Sequence, residues 1–425
     1  MNLSTNSYKG TRDIYPDDMR LRQYIFDTWA AVCQNFGYER YDAPVLEPLE
    51  IYAAKSGEEI VSEQTYTFTD RGDRQVAIRP EMTPSVARMV AARRQEIALP
   101  ARLYSIANFM RYERPQKGRE REFWQLNVDL FGSTGVNADC ELISIANSVL
   151  RKFGADSKMY TILIGDRRLT DYIMCEYLGL DESRASAMIK LFDRKSKITD
   201  EAFNAQAMEI FGENETENLG KVKDIISAET IADLPESVRE NGPVTEVEEL
   251  LSAVRDSGIS NAKYDPTLMR GFDYYTGMVF EVFDNSPENN RSLFGGGRYD
   301  GLVGLFGVDD MPVVGFAPGE TTTIEFLKAW NLLPEMKPAT DIFLIPLGDV
   351  DVSGVADELR NRGVNVAVEI IDRKIDKSIR AAVKMDIPYA LFVGETELKS
   401  GKYNLKNLSS SEEKSLTIDE ITRLF

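Results

Sequence analysis

The stretch from Phe109 to Phe131 constrains this chain more than any other. In its second half, FWQLNVDLF (Phe123–Phe131), Trp124, Leu126, Val128 and Leu130 alternate with Phe123, Gln125, Asn127, Asp129 and Phe131. Such alternation predicts a strand with one face in a core. The other face carries aromatic rings, amides and a carboxylate in register. In the first half, Arg111 and Glu113 are two residues apart and so share a face. Between the halves lies RPQKGRER (Arg114–Arg121), punctuated by proline and glycine. Two readings fit. One is a half-exposed antiparallel pair with a solvated turn. The other is a binding floor with a basic arm that reaches for a polyanion.

Composition narrows the classes. A chain of 425 residues is too long for one ordinary core, so two or three domains are expected. Its net charge of −19 argues against an indiscriminate nucleic-acid binder, but allows basic residues gathered on one face. The chain contains no histidine, which removes a His base, nucleophile or metal ligand at once. Chemistry must therefore run on carboxylates, cations, backbone dipoles or the substrate's own groups. Cys33, Cys140 and Cys175 are too far apart for a zinc knuckle and fit no disulfide framework. No apolar run of about 18 residues could span a membrane, and the first residues lack a secretory pattern. A reduced, cytoplasmic setting is the expectation.

The order of elements follows from periodicity and punctuation. Leu21, Ile25, Trp29, Val32 and Phe36 recur at helical spacing, with Asp17 or Asp18 as the expected cap and Gly37 as the stop. YERYDAPVLEP then reads as a strand ending at Pro48. TYTFTD and QVAIRP flank Arg71-Gly72-Asp73 as a hairpin. RPEMTPS breaks into a helix, so Glu81 and Thr83 project from a strand-to-helix turn. A long helix (Asn137–Gly154) and a buried strand (Thr161–Asp166) follow. Residues 167–264 read as a helical, acidic insertion. MVFEVF (Met278–Phe283) is a strand preceded by a bend between Gly271 and Gly277. Glycine runs in LFGGGRYDG let backbone approach a ligand, and VVGFAPGE leading into a helix would aim amide donors at an anion. Beyond the linker Leu332–Lys337, strands and helices alternate as in a small α/β domain with a mixed sheet.

The text FMRYERPQKGREREFWQLNVDLFG (Phe109–Gly132) resembles the second signature motif of class II aminoacyl-tRNA synthetases, in the RxERPQKGRxRxFxQ wording of the histidyl-tRNA synthetases. RPExT (Arg79–Thr83), RGFDYY (Arg270–Tyr275) and GGRYDGL (Gly296–Leu302) resemble further signatures of that family. The first long helix and the strand containing Pro44 resemble its dimer-forming motif. The resemblance implies an α+β fold: a class II synthetase-like antiparallel sheet with flanking helices, split by a helical insertion, plus a C-terminal α/β domain. The catalytic core would occupy 1–166 and 265–331, the insertion 167–264 and an anticodon-binding domain 338–425.

The same resemblance implies activation of histidine by ATP, then transfer to tRNA-His, by a cytoplasmic homodimer with no membrane partner. Arg111 and Arg270 would be the catalytic cations on the α-phosphate, and would also meet the histidine carboxylate. Glu113 would face the adenine or a metal ion, Phe123 would stack on adenine, and Arg119 would reach the outer phosphates. Glu81, Thr83 and Gln125, with Met82, would surround the α-amino group, and Asp129, Tyr274 and Tyr275 the imidazole. Arg114 and Gln116 would meet the tRNA acceptor end. Mg²⁺ would bridge the outer phosphates, held mainly by ATP rather than by protein side chains. The chain departs from the family text at four places, and at two of them, Tyr112 and Trp124, many members carry His. Asp129 stands where many members carry Glu. Thr322 stands where the usual GLER supplies an arginine for ATP. That loss is what favours a second reading, a catalytically silent histidine-sensing paralogue such as the regulatory subunit of ATP phosphoribosyltransferase. The retained arginines, the tyrosines and the C-terminal domain favour the ligase.

Overall fold

The computed structural model describes residues 3–53, 64–114, 118, 120–195, 198–212, 215–268, 275–287, 289 and 292–425. Gln116, Arg119, Arg270 and Tyr274 lie outside the described residues. The chain divides into two compact units, residues 1–15 with 21–333, and residues 16–20 with 334–425.

In the first unit the elements run α1 (Pro16–Asn35), β1 (Glu39–Arg40), β2 (Leu46–Pro48), α2 (Glu50–Ala53), β3 (Thr67–Thr69), β4 (Gln75–Ile78), α3 (Thr83–Ala92), β5 (Ala101–Met110), β6 (Glu122–Phe131), α4 (Val136–Lys152) and β7 (Tyr160–Asp166). Six helices follow: α5 (Arg167–Tyr172), α6 (Glu182–Asp193), α7 (Asp200–Phe211), α8 (Glu215–Ser227), α9 (Glu236–Asn241) and α10 (Thr245–Asp256). Then come β8 (Ala262–Tyr264), β9 (Met278–Asp284), β10 (Ser292–Arg298), β11 (Val313–Phe316) and α11 (Glu320–Ala329).

The long hairpin is the spine of an eight-stranded sheet, ordered β1-β5-β6-β11-β10-β9-β7-β8. The six central strands are antiparallel, while short β1 and β8 pair parallel at the edges. One face is apolar because the alternation of β6 continues in its neighbours. Leu126, Val128 and Leu130 join Phe280, Phe294 and Phe316, and α1 and α4 cover them with Ile25, Trp29, Leu142, Ile145 and Val149. Each such side chain contributes about 1.5–3 kcal/mol when fully buried. The helical stretch builds its own core around Leu169, Met188, Phe203 and Val222. Its last residues return to the sheet as β8.

Two local expectations change. Helix α1 begins at Pro16 after Tyr15 without a side-chain cap, because proline at the first position needs no N–H partner. Asp17 and Asp18 sit in its first turn, where they favour the helix dipole rather than cap it. The single strand expected to end at Pro48 is two, β1 and β2, each in a different sheet. Gly37, at φ +77°, does stop α1.

The second unit is a five-stranded mixed sheet, ordered β13-β12-β14-β15-β16, built from β12 (Ile342–Pro346), β13 (Val366–Val368), β14 (Tyr389–Val393), β15 (Tyr403–Asn407) and β16 (Glu413–Leu416). Its helices are α12 (Ser353–Asn361), α13 (Ile375–Lys384), α14 (Glu395–Ser400) and α15 (Ile418–Thr422). Strand β16 and helix α14 are short and mostly polar, which left them invisible to periodicity.

Candidate active site

The face of the sheet opposite α1 and α4 holds a cavity of about 500 Å³. Register explains its shape. Gly315 lies opposite Asp129. Gly295 and Gly297 pair with Glu281 and Val279. Glycine is required at these places by contact rather than by dihedral angle. A Cβ on Gly315 would lie 2.5 Å from Asp129 Oδ1 and 2.6 Å from the Tyr299 hydroxyl, and one on Gly297 would lie 2.9 Å from the Tyr275 ring. The glycines flatten the floor beside a row of polar side chains on β6, Gln125, Asn127 and Asp129, all of which line the cavity.

Asp129 is the chemical centre of the floor. It is 3% exposed, yet both carboxylate oxygens are engaged: Tyr299 donates to Oδ1, and the Tyr41 hydroxyl donates to Oδ2 at 3.3 Å. Burial pushes its carboxyl up to about 6, and the two tyrosine hydrogen bonds pull the other way. Burial, helped by the Glu81, Glu281 and Asp129 charges, holds the Tyr275 hydroxyl well above its ordinary value, so it remains a donor. The shorter Asp is thus met by tyrosines that close in on it. The Tyr299 amide donates to the Val313 carbonyl at 2.9 Å, and the guanidinium of its neighbour Arg298 reaches Asp139 of α4 at 2.5 Å and the Ser133 carbonyl at 3.0 Å.

The opposite end of the cavity is lined by Glu81, Thr83 and Arg111. The turn carrying Glu81 and Thr83 is fixed by Arg79, which is 2% exposed and donates to the carbonyls of Asn108 (2.9 Å) and Ala43 (2.6 Å) and to Asp42 (2.8 Å). Arg111 donates Nε to the Pro80 carbonyl at 3.0 Å, stacks on the Phe123 ring at 5.3 Å and stands 4.0 Å from Glu113. The base of the basic arm is anchored by the N-terminal segment. The Arg121 amide donates to the Gly10 carbonyl at 2.7 Å, and its guanidinium stacks 3.9 Å over Tyr112.

Thus Glu81, Thr83, Arg111, Gln125, Asp129 and Tyr275 line one cavity. Phe123 and Glu113 adjoin Arg111 rather than line it. Met82 is fully buried, packing with Ala107 and Phe109 beneath the turn, and does not face the cavity. Arg114 is exposed on the arm. Sequence reasoning missed Tyr41, Tyr299 and Asn127. Tyr299 had a signal, since it alternates with Arg298 in the quoted GGRYDGL; Tyr41 had none.

The start of α11 differs from expectation. Its first residue, Glu320, occupies the amide-rich end itself and is 2% exposed. Arg22 of α1 grips both its oxygens at 2.9 Å, and Arg12 reaches it at 3.4 Å. The first position of this helix thus carries the chain's own carboxylate, paired with two arginines. Thr322 folds its hydroxyl back onto the Gly319 carbonyl at 3.1 Å. Among the described residues no three carboxylate or thiol groups converge as a metal cradle.

A flat glycine-lined antiparallel floor, with a buried acceptor at one end and an arginine at the other, is the architecture of the class II aminoacyl-tRNA synthetases. A family model for histidyl-tRNA synthetase matches residues 10–319, and one for an anticodon binding domain matches residues 341–425. Histidine–tRNA ligases of Leptospira biflexa and Opitutus terrae are 40% and 37% identical over 424 and 425 residues, in each case 98% of this chain and 96% of theirs. The crystal structure of histidyl-tRNA synthetase from Nostoc sp. PCC 7120 superposes with a TM-score of 0.84 at 24% identity, covering 100% of both chains. The chain belongs to the histidyl-tRNA synthetase family. No helix among the described residues is long and apolar enough to cross a membrane.

Proposed function

We infer that the chain is a histidine–tRNA ligase that forms histidyl-adenylate from histidine and ATP and passes the histidyl group to the 3′ end of tRNA-His. One observation carries the reading: a buried carboxylate, held by two tyrosine hydroxyls, closes a cavity with an arginine at its far end. Such an acceptor selects a ligand bearing a ring N–H, since isosteres without it leave the buried charge short of a partner. Glu81, Thr83 and Gln125 suit the substrate's ammonium group.

In the first step the histidine carboxylate attacks the α-phosphorus and pyrophosphate leaves. Charge builds on the phosphate oxygens, so the protein's task is positioning and cationic stabilisation. Arg111 takes that task, its planar fork binding oxyanions without losing charge. Arg270 is assigned the same role from its motif, as Phe123 is assigned the adenine. Mg²⁺ would arrive on the outer phosphates and offset their charge. No side chain is assigned to it. In the second step a ribose hydroxyl of the tRNA attacks the histidyl carbonyl and AMP leaves. No protein nucleophile is needed in either step, which suits a chain without histidine.

Engagement of tRNA is supported by the second unit. Helix α13 exposes Lys377, Arg380 and Lys384 in one row, a cationic stripe in an acidic chain. A cytoplasmic homodimer is part of the same reading, supported by the dimer-motif resemblance of α1 and the strand segment after it. The full-length ligase relatives and the second unit weigh against the histidine-sensing alternative. The test is histidine-dependent exchange of pyrophosphate into ATP, followed by charging of tRNA-His. Histidine binding with no exchange would overturn the ligase and leave the sensor.

A further inference from the structure

The N-terminal segment runs beside the base of the arm. The Gly10 carbonyl accepts the Arg121 amide at 2.7 Å, and the Tyr8 hydroxyl accepts from the Arg121 guanidinium at 3.2 Å. Two residues on, Arg12 sets its guanidinium between two carboxylates from distant parts of the chain. Its Nε meets Glu120 at 3.0 Å, and its Nη2 meets Glu320 at 3.4 Å. Glu320 has its charge met without this contact, because Arg22 grips both of its oxygens at 2.9 Å. What Arg12 adds is therefore the link to Glu120. Burial raises the Glu120 carboxyl, Arg12 opposes that rise, and the Glu320 charge adds to it. The two carboxylates thus stand close enough to repel each other.

We propose that Arg12 is a positioning residue for ATP, which bridges Glu120 and Glu320 and so holds the base of the arm against the start of α11. The proposal rests on the ligase reading and adds to it a residue that does not line the cavity. One guanidinium turns a repulsion between like charges into a two-sided link. Each end of that link is joined to the site. Glu120 precedes Arg121, whose carbonyl accepts the Arg111 amide at 2.9 Å, and Arg111 lines the cavity. On its other side Glu120 follows Arg119, which its motif assigns to the outer phosphates. At the far end, Gly319 precedes Glu320 and bridges to Gln125 on β6, so the start of α11 is a fixed edge of the floor. Thr322 leaves that helix without the arginine of the family text. More of the phosphate charge then falls to the arm, and its placement matters more to ATP than to histidine.

The test uses the full-length protein in pyrophosphate exchange, with ATP and histidine varied separately. Half-exposed ion pairs are worth little, so Arg12→Ala should raise KM for ATP by about three- to fivefold, with KM for histidine unchanged. Glu120→Ala separates placement from the bare electric field. It removes a negative charge near a polyanion's site, so the field alone would lower KM for ATP. Loss of the bridge should instead raise it by about twofold. The double variant should match Glu120→Ala, because Arg12 then has no arm to hold and no repulsion is left unopposed. Arg22 still meets Glu320 in all three, so their circular dichroism melting should be that of the wild type. If Arg12→Ala nonetheless fails to fold, Glu120→Ala decides from the other end of the same bridge. Unchanged KM for ATP in Arg12→Ala, an equal rise for histidine, a fall in Glu120→Ala, or additive effects in the double variant would each overturn the proposal. Absence of histidine-dependent exchange in the wild type would overturn the ligase reading, and the proposal with it.

Discussion

Replacing Tyr299 with Phe isolates the one hydroxyl that does most to keep Asp129 usable. The carboxyl of Asp129 stands at about 6 because burial raises it and hydrogen bonds from Tyr299 and Tyr41 oppose that rise. Hydrogen bonds to charged groups contribute about 1.5–3 kcal/mol, and one pKa unit corresponds to about 1.4 kcal/mol. Tyr299→Phe should therefore move Asp129 up by about one to two units, to roughly 7–8. At pH 7 the wild-type group is about nine-tenths ionised, and the variant's would be half or less. A protonated Asp129 cannot accept from the ring N–H, so histidine affinity should fall. The sign is fixed: affinity is lost as pH falls through the carboxyl's own pKa, and the variant reaches that limb at a higher pH. Histidine KM in pyrophosphate exchange should rise several-fold at pH 7 and approach the wild-type value near pH 9. The free substrate's imidazole keeps its ordinary value of about 6.5 in both assays, so it does not follow the shift. An acidic limb at the same pH in both proteins would refute the assignment of Asp129 as the ring acceptor.

Further outcomes follow from other contacts. Gly315→Ala inserts a methyl group 2.5 Å from Asp129 Oδ1 and should cut histidine-dependent exchange by about 100-fold while the protein stays folded by circular dichroism. Asp129→Asn removes a carboxylate whose folded pKa of about 6 lies above its unfolded value, so it should stabilise the fold by up to roughly 3 kcal/mol at pH 8. That gain should vanish below about pH 4, where both states are protonated, and urea unfolding at the two pH values checks it. Reversing Lys377, Arg380 and Lys384 to Glu together should lower kcat/KM for tRNA and flatten its salt dependence by about two in log–log slope, with exchange unchanged.

Much of this site is legible in sequence because its physics is local. The alternation in FWQLNVDLF places Gln125, Asn127 and Asp129 on one face and Leu126, Val128 and Leu130 on the other, and the sheet keeps that division. RPExT is readable as a strand-to-helix turn, though Arg79 proves to be its internal brace rather than a ligand group. What is not legible depends on pairing across the fold. Tyr41 meets Asp129 from a loop 88 residues earlier, and Tyr299 meets it from 170 residues later. No period within either segment announces that meeting. The glycine run in β10 suggested close approach to a ligand, yet part of its need is internal, since Gly297 makes room for Tyr275. The start of α11 looked like an anion site because glycine precedes a helix. Only the tertiary fold shows Arg22 and Arg12 arriving to pair with Glu320 there.

The absence of histidine from the chain gives these titrations unusual clarity. In most enzymes several imidazoles change charge between pH 5 and 8, and a limb near 6 belongs to no one in advance. Here, among the described residues, burial pushes two carboxyls to about 6, Asp129 in the cavity and Asp139 beside Arg298. The two are separable by position. Asp129 faces the cavity, whereas Asp139 anchors Arg298 on β10 and touches the site only through Tyr299 next to it. Asp139→Asn should therefore alter stability between about pH 4 and 6 while leaving the acidic limb of histidine affinity in place. If instead that limb moves with Asp139 and not with Asp129, the charge that recognises the ring acts through the Arg298 brace. The direct contact would then be the wrong one. A protein-free imidazole background makes that distinction measurable in the native enzyme, with the substrate supplying the one imidazole in the reaction.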